Sequence, residues 1–208
     1  MTAIALPFRE RPQAQSLILG GFTLLICIIV GLIAWSTRAA IHQRELEDTR
    51  NMLSQVFPSS LYDNAISEEE YTLTLDGQPV HYFLGRKQGQ PSGIVLFATA
   101  QGYAGAIKLL LGISAQGDLT GVRVIEHKET PGLGDGIDLA RSPWILGFNG
   151  KSLENTSAQQ WHVKKDGGEF DAFTGATITP RGVVRGVYES LQLFQHNKAA
   201  LLAAKKGE

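Results

Sequence analysis

The feature that most constrains this chain is an unbroken apolar segment near its N-terminus. Residues 17–35 read LILGGFTLLICIIVGLIAW and include no charged side chain. A helix needs about 20 apolar residues to cross a bilayer, so this segment predicts a single transmembrane helix. Trp35 ends the segment, at the depth where interfacial aromatic side chains are common. The lipid bilayer is therefore an expected partner of the chain.

A cleaved signal peptide is the alternative explanation of this segment. Signal peptides have apolar regions of about 7–15 residues, followed by a small-residue cleavage site. Here Ser36-Thr37-Arg38 leads directly into a charged helical pattern, so we expect an uncleaved anchor. Arginines flank the segment on both sides, with Arg9 and Arg11 before it and Arg38, Arg44 and Arg50 after it. Their near balance leaves the orientation of the anchor undecided.

Composition excludes several classes of function. The formal net charge of −1 provides no basic excess that would favour nucleic acid. The single cysteine, Cys27, excludes an internal disulfide and any multi-cysteine metal or iron–sulfur site. The five histidines include no pair at the spacing of metal ligands. We therefore expect neither a metal site nor a nucleic-acid partner.

The rest of the chain predicts one α+β domain, with an antiparallel sheet and flanking helices. A helix over 39–57 would follow the anchor and end at Pro58. Alternating or apolar stretches predict strands at 71–75, 80–84, 94–100, 106–114 and 120–130. The expected organisation is a short N-terminal arm (1–16), the transmembrane helix (17–35), a helical connector (36–60) and the folded domain (61–208).

A threonine-rich stretch, FTGATITPRG at 173–182, opens the last predicted helix. Beyond Pro180, apolar residues recur at helical spacing, at Val184, Val187, Leu191 and Phe194. We expect Pro180 at the first helical position and Thr179 as the N-cap. Thr177 then lies just ahead of a helix N-terminus, where free N–H groups and the helix dipole favour a phosphate. Such a position predicts a phosphate site without specifying its ligand.

Two other loops have unusual composition. ETPGLGDG at 129–136 follows a predicted strand, and its three glycines would let the backbone approach a ligand closely. An ordinary turn is the alternative for this loop. VKKDGGEFD at 163–171 presents Lys164 and Lys165, and by itself it is typical of a solvated hairpin tip.

The segment Asp171-Ala-Phe-Thr174-Gly175-Ala176-Thr177 resembles the D-x-x-[ST]-G-A-T acceptor motif of the FMN-binding domain family. In that family a flavin transferase joins FMN, through its phosphate, to the hydroxyl of the last threonine, here Thr177. The anchor and four segments also resemble, in order, the G subunits of bacterial Rnf (Rsx) electron-transport complexes. These segments are QGYAGAI at 101–107, EHKETPGLGD at 126–135, VKKDGG at 163–168 and FTGATITPR at 173–181. The one departure is Thr174, where serine is common.

The resemblance implies a flavoprotein that relays electrons through covalent FMN on Thr177, with no catalytic residue of its own. The family's complex passes electrons between ferredoxin and NAD and couples that flow to ion translocation. A cytoplasmic arm, a periplasmic domain on the bacterial inner membrane, other membrane subunits and a flavin transferase are likewise implied. The expected flavin contacts are Glu129, Thr130, Gly132, Leu133, Gly134, Lys164, Thr174, Gly175, Ala176 and Thr179. The transferase would recognise Asp171, Thr174, Gly175 and Ala176.

Two alternatives remain open from the sequence. The first is that the chain is the C subunit of the sodium-translocating NADH:quinone oxidoreductase, which shares the flavin domain and is generally longer. The other alternative is a membrane-anchored periplasmic binding or assembly module that holds no cofactor. Flavin absorbance in denatured, washed protein would identify the flavoproteins, and co-purified membrane subunits would separate the two complexes.

Overall fold

The computed structural model describes residues 12–75 and 77–204. The chain divides into two units, Met1–Asp48 and Thr49–Glu208. Helix α1 spans Pro12–Ser54, so the segment at 17–35 and most of the predicted helix over 39–57 lie in one continuous helix, which ends three residues before Phe57. No proline or glycine lies between Trp35 and Phe57 to interrupt it.

The predicted transmembrane helix at 17–35 is not confirmed by this structure. Among the residues described above, no helix is both long and apolar enough to cross a membrane.

The second unit contains the five-stranded antiparallel sheet that the sequence predicts. Its strands pair in chain order, so each lies beside its neighbour in sequence. The strands are β1 (Glu70–Leu75), β2 (Gln78–Lys87), β3 (Gln90–Gln101), β4 (Ala106–Ser114) and β5 (Leu119–Glu126). The last predicted strand, 120–130, is too long at its C-terminal end, because β5 ends at Glu126. Residues 127–130 therefore belong to the loop that follows.

One face of the sheet packs against the long helix α2, Ile178–Ala203. The predicted apolar stripe of this helix is confirmed, since Val184, Val187, Leu191 and Phe194 are all buried in the main core. Helix and sheet approach closely at Gly182, where an added Cβ would overlap the carbonyl oxygen of Gln101 at the end of β3. The first turns of α2 are thereby held against the end of β3.

The opposite face of the sheet is covered by the end of α1 and the turn after it. Leu53, Val56 and Phe57 are fully buried there, in a second and smaller cluster. The Thr120 hydroxyl on β5 donates a hydrogen bond to the Val56 carbonyl at 2.5 Å. Alternate residues along each strand point to opposite faces, so this sheet buries side chains on both sides.

An irregular segment between β5 and α2 carries short 3-10 helices and an aromatic cluster. Trp144, Phe148, Trp161 and Phe170 contact one another through their rings. Phe173 joins this cluster by an edge-on contact with Trp144, at 5.3 Å between ring centroids. The threonine-rich stretch is therefore anchored at its start, immediately before the residues that lead into α2.

Candidate functional site

A cleft of about 260 Å³ lies where three segments of the second unit meet. They are the turn between β3 and β4, the loop after β5, and the chain that enters α2. The lining residues are Tyr103, Glu129, Thr130, Leu133, Gly134, Gly175, Ala176, Thr177, Ile178 and Thr179. Most of the residues predicted to contact a flavin are thus brought together, although they come from distant parts of the sequence.

The start of α2 differs from the prediction in one important respect. The helix begins at Ile178 with Thr177 at the N-cap position, and the Thr177 side chain makes no capping hydrogen bond. Thr179 is therefore not the N-cap, and it lies one residue inside the helix with its side chain completely buried. The prediction that Pro180 is the first helical residue is also wrong, because it is the third residue of α2. It still falls in the first turn, where a missing N–H removes no intrahelical bond.

Thr179 is directed away from a capping role by Glu129. Its hydroxyl donates a hydrogen bond to Glu129 Oε2 at 2.5 Å, within the protein interior. Glu129 Oε1 accepts a second bond from the Ala104 N–H at 3.0 Å. The Glu129 side chain is 5% exposed, and no described basic side chain forms an ion pair with it. Both carboxylate oxygens are thus engaged by protein donors.

The glycines of the 129–136 loop serve two different purposes. Gly134 lies against the buried acid, since a Cβ there would be 2.6 Å from Glu129 Oε2 and 3.1 Å from Thr179 Oγ1. Gly132 faces open space, but its φ of +78° is one that side-chain-bearing residues rarely adopt. The close approach at Gly134 is thus made to Glu129 of the same loop, and the predicted approach of this backbone to a ligand stays a prediction.

Short contacts hold the segment that carries Thr177. Trp144 Nε1 donates to the Asp171 carbonyl at 2.8 Å, and the Ala176 N–H donates to the Phe173 carbonyl at 3.2 Å. Gly175 lies within this last turn, between Phe173 and Ala176, and has a φ of +80°, which favours glycine. The turn places Thr177 at the mouth of the cleft.

Three of the predicted flavin contacts lie outside this cleft. Gly132 and Thr174 line a neighbouring cavity, which shares Leu133 with the cleft. Lys164 instead forms an ion pair with Asp171, with 2.7 Å between its Nζ and the carboxylate. Both members of this pair are well exposed, so the structure joins two predicted residues in a contact that the sequence did not reveal.

The cleft also includes two residues that were not predicted as flavin contacts, Tyr103 and Ile178. Tyr103 is 74% exposed and Ile178 is 51% exposed, which is unusual for large side chains with apolar surface. Leu133, which was predicted, is 49% exposed beside them. Tyr103 lies within the QGYAGAI segment at 101–107, and membership of that segment was the only sequence signal that could have indicated it. Nothing in the sequence distinguishes Ile178 from a core residue of α2.

An ion pair at the first turn of α2 supports the site from one side. The Arg181 guanidinium donates two hydrogen bonds to Asp166, each 2.6 Å long. Hydrogen bonding from Arg181 lowers the pKa of the Asp166 carboxyl. Asp166 ends the short 3-10 helix Lys164–Asp166, so the bidentate pair ties that turn to α2.

Comparison with known proteins identifies the family of this chain. The FMN-binding domain family matches residues 102–192, which include the whole cleft. The chain is 46% identical over 205 residues to the G subunit of the ion-translocating oxidoreductase complex of Pseudomonas aeruginosa strain UCBPP-PA14, and the match covers 95% of each chain. It is 39% identical to the corresponding G subunit from Cereibacter sphaeroides strain ATCC 17029, over 94% of this chain and 90% of that one.

Among solved structures, the chain is similar to Shewanella oneidensis NqrC, with 26% identity and a TM-score of 0.47. That match covers 70% of this chain and 74% of NqrC. The curated relatives match nearly end to end at much higher identity, and they confirm the resemblance that the four sequence segments indicated. This chain therefore belongs to the family formed by the G subunits of ion-translocating oxidoreductase complexes, and it carries that family's FMN-binding domain.

Proposed function

We propose that this chain is a membrane-anchored electron carrier of an ion-translocating oxidoreductase complex, with FMN joined covalently to Thr177. The site assignment rests on one observation. Thr177 lies at the N-cap of α2 and at the mouth of a partly apolar cleft. Its hydroxyl is not used for capping, so it is free for modification. The names of the relatives support the assignment to a complex.

The phosphate of FMN suits the position of Thr177. The first N–H groups of a helix have no intrahelical acceptor, and the helix dipole adds a partial positive charge there. A phosphate esterified to Thr177 would lie within reach of those groups. Lys164 pairs with Asp171 and does not line the cleft, so the N-terminus of α2 supplies the electrostatic support in this proposal.

The isoalloxazine ring suits the apolar part of the cleft. Tyr103, Leu133 and Ile178 would offer it apolar contact, and the loop after β5 would offer backbone groups. The cleft volume of about 260 Å³ is slightly below the roughly 300–1,000 Å³ of enclosed ligand pockets. Part of the ring would therefore stay exposed to a redox partner. FMN itself supplies the one- and two-electron chemistry, and this chain needs no catalytic residue of its own.

Attachment of the flavin would depend on the exposed surface beside Thr177. We propose that a flavin transferase recognises Asp171, Thr174, Gly175 and Ala176. Asp171, Thr174 and Gly175 are exposed, so a second protein could reach them. Transfer from FAD would form the Thr177 Oγ–phosphorus bond, break the pyrophosphate bond and release AMP. The domain would thus bind the cofactor without having to hold it by contacts alone.

Intact-mass measurement of the chain, produced with and without a flavin transferase, tests this function. With the transferase, we expect a mass increase equal to FMN less one water. Flavin absorbance should then persist in denatured, washed protein. An unchanged mass in both preparations would favour the cofactor-free module. Identifying the membrane subunits that co-purify would distinguish this complex from the sodium-translocating quinone reductase.

We further propose that 17–35 anchors the chain in the bacterial inner membrane. The support is the sequence, which is uncharged over this range, and the described side chains at 19–32, which are exposed. The hydroxyl of Thr23 donates to the Leu19 carbonyl at 2.9 Å, so it has an acceptor within the helix. A helix with apolar side chains exposed along its length is suited to lipid.

The proposed topology predicts the result of protease treatment. The chain should fractionate with membranes at full length, because the segment lacks the cleavage site of a signal peptide. Protease added to intact spheroplasts should digest the domain after Arg38, which we place in the periplasm, and leave 1–16 on the cytoplasmic side. Protection of the domain until the membrane is broken would contradict this orientation.

A further inference from the structure

Glu129 is the buried carboxylate among the side chains that the structure describes, and it lies at the base of the cleft. The other buried polar side chains in that part of the chain are the hydroxyls of Ser152, Thr156, Thr179 and Ser190. Burying a carboxylate is unfavourable unless its oxygens receive hydrogen bonds. The two donors on Glu129 come from different segments, so its position requires an explanation beyond the packing of one loop.

The surroundings of Glu129 are shaped to receive its carboxylate. An added Cβ at Gly102, in the turn between β3 and β4, would overlap Glu129 Oε1. An added Cβ at Gly134, in the loop after β5, would lie 2.6 Å from Glu129 Oε2. The space that the carboxylate occupies therefore depends on two glycines, Gly102 and Gly134, which are 32 residues apart in the sequence.

Each hydrogen bond of Glu129 holds one wall of the cleft. The bond from the Ala104 N–H fixes the β3–β4 turn that carries Tyr103. The bond from the Thr179 hydroxyl fixes the first turn of α2, two residues beyond Thr177. Glu129 itself belongs to the third wall, which includes Leu133. One side chain thus connects all three segments.

We propose that Glu129 is a positioning residue that holds the N-terminus of α2, and with it Thr177, against the two loops before any flavin is attached. Its relevance to the cofactor rests on the proposed function. The connection itself is a property of the protein without flavin. Glu129 acts through Thr179 and Ala104, because its two carboxylate oxygens accept hydrogen bonds from those residues.

The experiment is amide hydrogen exchange with residue-level mass spectrometry on the full chain, made without transferase and held in detergent micelles. In Glu129→Ala the Ala104 N–H loses its acceptor, so we expect its exchange to become about ten- to a hundredfold faster. In Glu129→Gln the amide oxygen can accept from Ala104, and the NH₂ group can donate to Thr179. Its exchange rate should lie between those of the wild type and Glu129→Ala.

Thr179→Val provides the decisive variant, because it preserves side-chain shape and lies on a different segment from Ala104. If Glu129 connects the two, loss of the Thr179 hydroxyl should accelerate exchange at Ala104 by about two- to tenfold. Thr179→Ser, which retains the hydroxyl, should restore the wild-type rate. Glu126→Ala is the control, since Glu126 is an exposed neighbour that pairs with Lys108 and should leave Ala104 unchanged.

An Ala104 rate that is the same in Thr179→Val and the wild type would overturn the proposal. If Glu129→Ala does not fold, the Gln and Val variants still decide the matter. Flavin incorporation by a transferase, measured on the same variants, separates the two proposals. Loss of incorporation in Glu129→Ala, with recovery in Glu129→Gln, supports the positioning role. Failure of the wild type to accept flavin would contradict the proposed function and leave the exchange result as an independent test.

Discussion

Thr177→Val is expected to abolish covalent flavin attachment while leaving the fold intact. The substitution removes the hydroxyl that would form the phosphoester and keeps the size and branching of the side chain. Thr177 makes no capping hydrogen bond and is partly exposed, so no structural bond is lost. The free energy of unfolding should change by only about 0.5 kcal/mol, as for other substitutions away from buried contacts.

Flavin fluorescence on a denaturing gel, after co-expression with the transferase, measures this effect. The Thr177→Val band should be dark, and its intact mass should be that of the unmodified chain. Thr177→Ser retains a nucleophilic oxygen and should keep part of the label. Thr174→Val is the comparison variant, because Thr174 is an exposed threonine of the same motif that lines the neighbouring cavity. As a residue that the transferase would recognise, it should keep part of the label when valine replaces it. A bright Thr177→Val band beside a dark Thr174→Val band would show that the other threonine is modified.

Gly182→Ala is expected to destabilise the domain by about 3 kcal/mol, although alanine is the better helix former. Replacing glycine by alanine inside a helix ordinarily stabilises it by about 0.5–1 kcal/mol. Here the new Cβ would overlap the carbonyl oxygen of Gln101, a backbone atom that cannot rotate away. The helix must shift from β3, and Thr177, which precedes Gly182 by little more than one turn, must shift with it.

Urea unfolding and flavin incorporation, measured on the same preparations, check the Gly182 prediction. We expect a lower unfolding midpoint with an unchanged slope, and reduced flavin content in the protein that remains folded. Gly147→Ala is the control, since a Cβ at Gly147 has no atom within 4 Å and its backbone conformation is ordinary. Equal stability of the Gly182→Ala and wild-type proteins would refute the close packing of α2 on β3.

The sequence by itself determined the class of the fold and the general position of the site. Short-range patterns were sufficient for the five strands and for α2, because alternation and helical periodicity depend on neighbouring residues. The acceptor segment at 171–177 was recognisable because its residue types are specific, and the loop at 129–136 was visible from its glycines. The relatives confirm the family that these segments indicated.

The tertiary structure decided what each residue of the site does. Thr179 satisfies every local rule for an N-cap, but a buried carboxylate 50 positions earlier accepts its hydroxyl, and the helix starts two residues before Pro180. Lys164 was expected near the phosphate, but it pairs with Asp171. Capping rules describe only local competition for hydrogen bonds, whereas a buried acid requires donors from wherever the fold brings them. The roles of Glu129 and Thr179 therefore follow from contacts between segments that are distant in the sequence.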